Sequence, residues 1–175
     1  MPPVDVRKTY LQLESRADFS PSPCPDPQAR VEPVFGAPAS FFRYLYVEVG
    51  RAYHWVDRLP WTDDQLRQRL AQPGVFLHVL SVAGAPAGYF ELEKHLDGSV
   101  EVAYFGLLPE FLGRGFGGYL LSEAVVAAWA LEPSRVWLHT CTLDAKAALP
   151  NYLARGFRPF KEAVSYTHLT LPTKA

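Results

Sequence analysis

Hydrophobic and polar positions change period several times along the chain, and each change marks an element. Residues 5–14 (DVRKTYLQLE) carry β-branched and aromatic side chains and predict a strand. The next stretch, SRADFSPSPCPDPQ, is crowded with Pro and Ser and reads as a loop. ARVEPVF adds a short extended segment, after which Phe41, Leu45 and Val49 recur at helical spacing between Ala37 and Gly50. RAYHWVDRLPW has no period and predicts a connecting loop able to line a pocket. Thr62 precedes Gln65 by three residues, the spacing of a capping box, and opens a second helix closed by Pro73 and Gly74. Asp63 and Asp64 fall in its first turn, where the helix dipole favours negative charge.

Three strands follow, VFLHVLSV, APAGYFELE and SVEVAYFGL, separated by short Gly-containing turns that imply antiparallel hairpins. On the third, alternation predicts Glu101, Ala103 and Phe105 on one face and Val100, Val102 and Tyr104 on the other. Gly115 to Leu131 then forms a long helix with Leu121, Ala124, Val125 and Ala128 on one stripe, and RVWLHTCT returns as a strand. Strand, long helix and strand make a parallel crossover. Asp144 to Arg155 predicts a further helix ended by Gly156, and FRPFKE begins another strand. The expected fold class is therefore mixed α/β (α+β): a central, mostly antiparallel sheet with one βαβ crossover, flanked by about four helices.

With 175 residues the chain suits one domain, and 49% hydrophobic residues suffice for a core. Seventeen Lys and Arg against eighteen Asp and Glu give a formal net charge of −1, with no basic block to attract a phosphate backbone; nucleic acid is not an expected partner. No apolar run reaches the ~20 residues of a membrane span, and MPPVDVRKTY lacks an apolar signal core, so no membrane is expected and the expected location is cytoplasmic. Cys24 and Cys141 show neither disulfide nor metal-ligand spacing, and no metal is expected.

The strongest chemical signal is FGLLPEFLGRGFGGYLL, where a strand breaks at Pro109 and a glycine cluster opens the long helix. Gly113, Gly115, Gly117 and Gly118 allow close approach of backbone N–H groups to an anion, and the helix N-terminus behind them favours negative charge. Gly113, Gly115 and Gly118 also satisfy G-x-G-x-x-G, but that dinucleotide fingerprint should open a series of parallel βα units. Here it follows antiparallel hairpins. No Lys-Ser or Lys-Thr pair closes the glycines, so a Walker A loop is absent.

VEVAYFGLLPE, LGRGFGGYLL and AALPNYLARGF together resemble the central strand, pyrophosphate loop and late helix of the GNAT superfamily of acetyl-CoA-dependent N-acetyltransferases. The resemblance covers roughly Phe76 to Lys161. It departs at Leu112, where the family usually carries Gln or Arg. What it implies is a GNAT fold using acetyl-CoA as cosubstrate and no metal. The backbones of Leu107 and Leu108 would pair with the pantetheine arm, and those of Leu112, Gly113, Arg114, Gly115, Phe116, Gly117 and Gly118 would hold the pyrophosphate. Family members often carry Asn near the start of the late helix, where the nearest positions here are Asp144 and Ala145.

N-acetylation needs a neutral amine and a proton for the departing thiolate. Glu101 lies thirteen residues before Arg114, the offset at which some family members place a general base; a structural or substrate-anchoring carboxylate is the competing reading. Tyr152, four residues before Gly156, matches the position from which the family's phenol acts as general acid; an amphipathic core tyrosine competes with that reading. No activated Cys or Ser is evident, so direct transfer in a ternary complex is expected. His54, Trp55 and Asp57 could border an acceptor pocket or simply pack the early helices, and His78 and His139 read as core or edge histidines. The expected partner is a small-molecule or peptide amine acceptor, with the protein a monomer or homodimer. A non-catalytic acyl-CoA-binding or regulatory module of the same fold is the alternative function.

Val164 to Thr173 (VSYTHLTLPT) resembles the translation of a transposon-based sequencing-library adapter. Residues 1–163 are therefore expected to form the single domain and 164–175 a non-native tail, a genuine last strand being the alternative.

Overall fold

The structure, a computed structural model, describes residues 3–167, with side chains through residue 165. Its strands are β1 (Val4–Leu13), β2 (Ala29–Val34), β3 (Val75–Val82), β4 (Ala85–Lys94), β5 (Val100–Leu107), β6 (Val136–Cys141) and β7 (Arg158–Thr167). Its helices are α1 (Ala39–Gly50), α2 (Asp63–Ala71), α3 (Phe116–Trp129) and α4 (Ala148–Arg155). The strands form one mixed sheet in the order β2-β3-β4-β5-β6-β1-β7.

The first half is a run of hairpins. Ala83 (φ 51°) and Gly84 (φ 85°) both take positive φ, the primed turn that matches strand twist and joins β3 to β4. Only β5 and β6 are parallel, joined through α3, and their pairing is confined to Val100↔Val136 and Glu101↔Trp137. β6 is instead held from its other side, where β1 pairs with it antiparallel over six residues, Lys8↔Cys141 through Leu13↔Val136. β7 pairs with the outer edge of β1 through Val4↔Thr167. Val164 to Thr167 are thus strand residues, and 168–175 lie outside the described residues.

α3 and α4 cover one face of the sheet, where Leu121, Ala124, Val125 and Ala128 are fully buried against Leu92, Val100, Val136 and Leu138. α1 and α2 cover the other face over β3, β4 and the far end of β5, burying Phe42, Leu45, Val49 and Leu66 against Leu77, Tyr89 and Leu108. The loop from β1 to β2 crosses the outside of α3 as a pinned strap. Arg16 donates to the Trp129 carbonyl (2.9 Å), Ser20 N–H to the Arg155 carbonyl (2.9 Å) and Ser22 N–H to Ser122 Oγ (2.8 Å).

Two sequence expectations change. The predicted helix from Asp144 begins only at Ala148: Pro150 has no N–H to offer the carbonyl four residues back, so it sits in the first turn and the helix extends no further upstream. Asp144 caps the end of β6 instead, accepting from Thr140 Oγ1 (2.6 Å) and Cys141 N–H (2.9 Å). On β5, the register slips between Glu91↔Tyr104 and Leu92↔Val102, leaving Ala103 as an extra residue. Tyr104 therefore shares the α1/α2 face with Glu101, and Phe105 turns to the α3/α4 face, the reverse of strict alternation.

A charged cluster fastens α2 and the α1–α2 connection to the sheet. Glu91 on β4 is fully buried, and Arg58 grips it with two bonds, Nη1 to Oε1 at 2.6 Å and Nη2 to Oε2 at 2.8 Å. Arg69 of α2 donates from Nε and Nη2 to the same Oε2 (3.0 and 2.8 Å) and from Nη2 to Glu93 (2.9 Å). The Arg58 guanidinium also lies over Tyr104 (4.3 Å) and Trp61 (4.9 Å). Burial works against the charge of Arg58, yet the Glu91 carboxylate holds it above its usual value.

Removing one partner of such a pair strands the other charge in the interior. Arg58→Ala is expected to lower stability by ~3–5 kcal/mol in urea unfolding. Arg43→Ala, which breaks the exposed pair with Asp63, is expected to cost about 1 kcal/mol or less. Equal losses for the two variants would show that the buried cluster does not anchor α2.

Candidate active site

β5 ends at Leu107, and a single 3-10 turn, Pro109–Phe111, delivers the chain to the glycine loop. Gly113 (φ 72°) and Gly115 (φ 84°) take left-handed conformations, and Gly115 caps the N-terminus of α3 without a side-chain bond. Among the described residues, nothing accepts a hydrogen bond from the N–H of Gly113, Arg114 or Gly115. The first N–H groups of α3 are likewise free of intrahelical partners. The result is a set of unpaired backbone donors at the positive end of a fourteen-residue helix.

The loop's aromatic and arginine side chains pack on one another. Phe116 is buried and packs edge-on against Phe111, and the Arg114 guanidinium stacks over both rings at 5.4 and 5.3 Å. Leu112 is 47% exposed and brings no charge. Asn151 Nδ2 donates to the Gly117 carbonyl (3.1 Å), and Ser122 Oγ donates to that of Gly118 (2.8 Å). A Cβ on Gly118 would lie 2.7 Å from both Arg155 Nη1 and Ser22 Oγ, so any larger residue there would displace those side chains. Asn151, Arg155 and Ser22 were not singled out from the sequence. Asn151 falls in the first turn of α4 only because that helix starts four residues later than Asp144, and no local pattern announces that Ser22 crosses α3.

Beside the loop, β5 and β6 part company after Glu101–Trp137. Amides of successive strand residues point to alternate edges. Leu108 N–H is committed to the Ala87 carbonyl of β4 (2.8 Å), so the backbone of Leu107 faces the opening toward β6. Tyr152 stands on the α3/α4 side of this opening, packed edge-on against Phe105 (6.2 Å) and Phe157 (6.3 Å). Burial raises its phenol well above the ordinary value, with Asp144 and Cys141 adding to the effect, so it keeps its proton through the physiological range. Its hydroxyl has no hydrogen-bond partner among the described residues.

Glu101 lies on the opposite face, where α1 and α2 leave the sheet uncovered. Its side chain is 13% exposed and is bracketed by two histidines: His95 Nε2 is 2.9 Å from Oε1, and His139 Nδ1 is 4.0 Å from Oε2. The His95 ring stacks on Trp137 (5.6 Å) and the His139 ring lies against Tyr10 (5.5 Å). His139 therefore belongs to a polar cluster on an open sheet face rather than to the core. Burial pulls its imidazole below the usual histidine value, partly opposed by Glu101. Potential ligand atoms of Glu93, His95 and Glu101 fall within 4.8 Å of one another, the group among the described residues best arranged for a cation, although Glu93 is already engaged by Arg69.

The other candidates separate. Trp55 packs against Tyr104 (5.1 Å), Tyr46 (5.7 Å) and Tyr89 (6.4 Å), while Asp57 is exposed and His54 takes a left-handed φ of 58° at the end of a short helical turn. His78 stacks on Phe90 (4.6 Å), its buried Nδ1 without a partner among the described residues. Cys24 and Cys141 are free thiols, and burial raises that of Cys141, which disfavours its thiolate. Among the described residues no helix is long and apolar enough to cross a membrane.

The same fold recurs in solved structures. A GCN5-related N-acetyltransferase from Kribbella flavida superposes with a TM-score of 0.66 over 93% of this chain and 58% of its own, at 22% identity. One from Sphaerobacter thermophilus gives 0.66 over 94% and 51%, at 18% identity. An aminoglycoside acetyltransferase from an uncultured soil metagenomic sample, in complex with trehalose, gives 0.64 over 83% and 98%, at 16% identity. The chain spans between 51% and 64% of the length of the first four structures it resembles. No curated protein sequence matches it. The model of the Acetyltransferase (GNAT) family matches residues 41–157, two thirds of the chain and the whole glycine-loop site, and the chain belongs to that family.

Proposed function

We propose that the protein transfers the acetyl group of acetyl-CoA to a primary amine by direct attack within a ternary complex. The observation that carries this reading is the row of unpaired N–H groups at Gly113, Arg114 and Gly115, opening beside a strand edge that also lacks a partner. Those donors, with the Leu112 to Gly118 backbone and the positive end of α3, suit a pyrophosphate. The free backbone edge at Leu107 suits the amides of a pantetheine arm, with Leu108 contributing its buried side chain. Acetyl-CoA, when bound, supplies the thioester carbonyl.

The remaining chemistry falls to this chain's own groups. Glu101 faces the open side of the sheet, where it can attract an ammonium and draw off its proton. Tyr152, kept protonated by burial, is suited to donate to the leaving sulfur from the other face. Tyr10, Trp137 and His139 offer aromatic surface beside Glu101, a setting that accepts the apolar or sugar body of an amine. An aminoglycoside acetyltransferase shares the fold, which makes amino sugars the first acceptor class to screen.

In calorimetry, acetyl-CoA is expected to bind and NAD is not. Gly115→Val, which places a β-branched residue at φ 84°, is expected to weaken acetyl-CoA binding at least tenfold, about 1.4 kcal/mol. NAD binding, or a Gly115→Val protein that folds and binds acetyl-CoA as well as wild type, would remove the cradle from the argument. Glu101→Gln is expected to lower kcat roughly 100-fold. Its residual turnover should follow the fraction of free amine, making the loss greatest at low pH; an unchanged pH profile rules Glu101 out as the base. Tyr152→Phe is expected to lower kcat by a similar factor, about 100-fold, with KM for acetyl-CoA little changed, and unaltered turnover excludes the acid role.

A further inference from the structure

The two oxygens of Glu101 have different surroundings. Oε1 is tied to His95 Nε2 at 2.9 Å, and the His95 ring is itself steadied by stacking on Trp137. Oε2 lies 4.0 Å from Nδ1 of His139 on β6. A carboxylate only 13% exposed that receives a proton in each turnover must pass it on before it can work again. The His139 side chain beside it is 37% exposed.

We propose that His139 is the proton shuttle for Glu101. The inference rests on the acetyl-transfer reading above and goes beyond it by assigning the proton's exit. The acceptor ammonium gives a proton to Oε2, and its nitrogen keeps the electron pair of the broken N–H bond. Oε2 then hands the same proton to the Nδ1 lone pair of His139, either through one water or after a side-chain shift of about 1 Å. The imidazolium releases its Nε2 proton to solvent, which leaves an ionised Glu101 and the Nδ1–H tautomer of the ring; exchange with water, one proton leaving Nδ1 and one returning to Nε2, then frees the Nδ1 lone pair for the next turnover. No oxidant, reductant or further reactant is required.

The charges facing His139 suit a group that accepts and releases quickly. Glu101 on β5 and Asp144 after β6 favour the imidazolium, whereas burial and Lys8 on β1 oppose it. Tyr10, also on β1, lies against the ring. The balance leaves the ring neutral near pH 7 and ready to accept. A hydrogen bond from His95 to the other oxygen makes that residue a positioning group, fixing which oxygen serves the acceptor and the shuttle.

Two measurements test this. In the ligand-free protein, the His139 imidazole resonances are followed against pH by NMR for wild type and Glu101→Gln. Wild-type His139 is expected to titrate below the ordinary histidine value, and its pKa is expected to fall further in E101Q because a favourable negative charge is lost. In turnover assays, His139→Gln is expected to lower kcat by at least tenfold with KM for acetyl-CoA unchanged, and added imidazole is expected to restore it in proportion to its free-base concentration. Wild-type activity in H139Q, or a loss that imidazole does not rescue in a variant with an unchanged unfolding midpoint, overturns the shuttle. An identical His139 titration in E101Q overturns it independently of any activity. Turnover without coupling removes the shuttle alone, whereas coupling without turnover of any amine in wild type removes the acetyl-transfer reading and the shuttle with it.

Discussion

Backbone groups in the middle of a sheet are hydrogen-bonded in folded proteins, and the rest of this structure is arranged around the place where that rule is suspended. Past Glu101↔Trp137, β5 and β6 cease to pair, although they are neighbours in the sheet order. Two parallel strands cannot diverge in this way unless each is held from its outer side. β5 is held by β4 along its whole length, and β6 is held by β1 over six residues. The unpaired edge at Leu107 and the unpaired N–H groups of the glycine loop are consequently adjacent, and both ask for a ligand with acceptors along its length. A helix N-terminus alone would offer only a local anion site; the opened strand beside it gives the site extent and direction.

The early helices depend on a second constraint, which works through charge. Glu91 occupies a fully buried position on β4, and two arginines from different parts of the α1–α2 segment converge on it. Hydrophobic contact alone would let α2, with Leu66 as its single fully buried side chain, slide over β3. The bidentate geometry of Arg58 and the bridging position of Arg69 between Glu91 and Glu93 fix both angle and register. That arrangement places α2 over β3 and β4 only, and so leaves the face of β5, β6 and β1 around Glu101 open.

Much of this could be read from the chain because local rules suffice for it. The capping box at Thr62 and Gln65, the positive-φ turn at Gly84 and the buried stripe of α3 all depend on residues within a few positions of one another. The glycine loop was legible for the same reason. What escaped was set by contacts between distant segments. Nothing near residue 4 says that β1 will lie between β6 and β7, because that choice is decided by pairing partners more than a hundred positions away. The extra residue at Ala103 is visible only once β4 is in register with β5, and it alone reverses the faces of Tyr104 and Phe105. Glu101 precedes that slip, so its expected placement opposite Val100 and Val102 holds, whereas its expected grouping with Phe105 does not. His139 reads from the sequence as a core or edge histidine, since its relation to Glu101 exists only across the β5–β6 junction.

Three carboxylates, Glu91, Glu93 and Glu101, share the α1/α2 face of β4 and β5, and the protein treats them differently. Glu91 and Glu93 are matched by Arg58 and Arg69, whose charge is permanent, and Arg69 holds the Glu93 carboxyl below its usual range. Those two are therefore held by permanent cations and serve the fold. Glu101 is met by histidines, whose charge, unlike that of arginine, is not permanent. An arginine at either position would lock Glu101 into an ion pair and make it a poor partner for an incoming ammonium. With imidazoles on both sides its charge stays available, while its geometry is still controlled. The difference between the carboxylates on one sheet face thus lies in the partner each has been given, a property that no single position in the sequence displays.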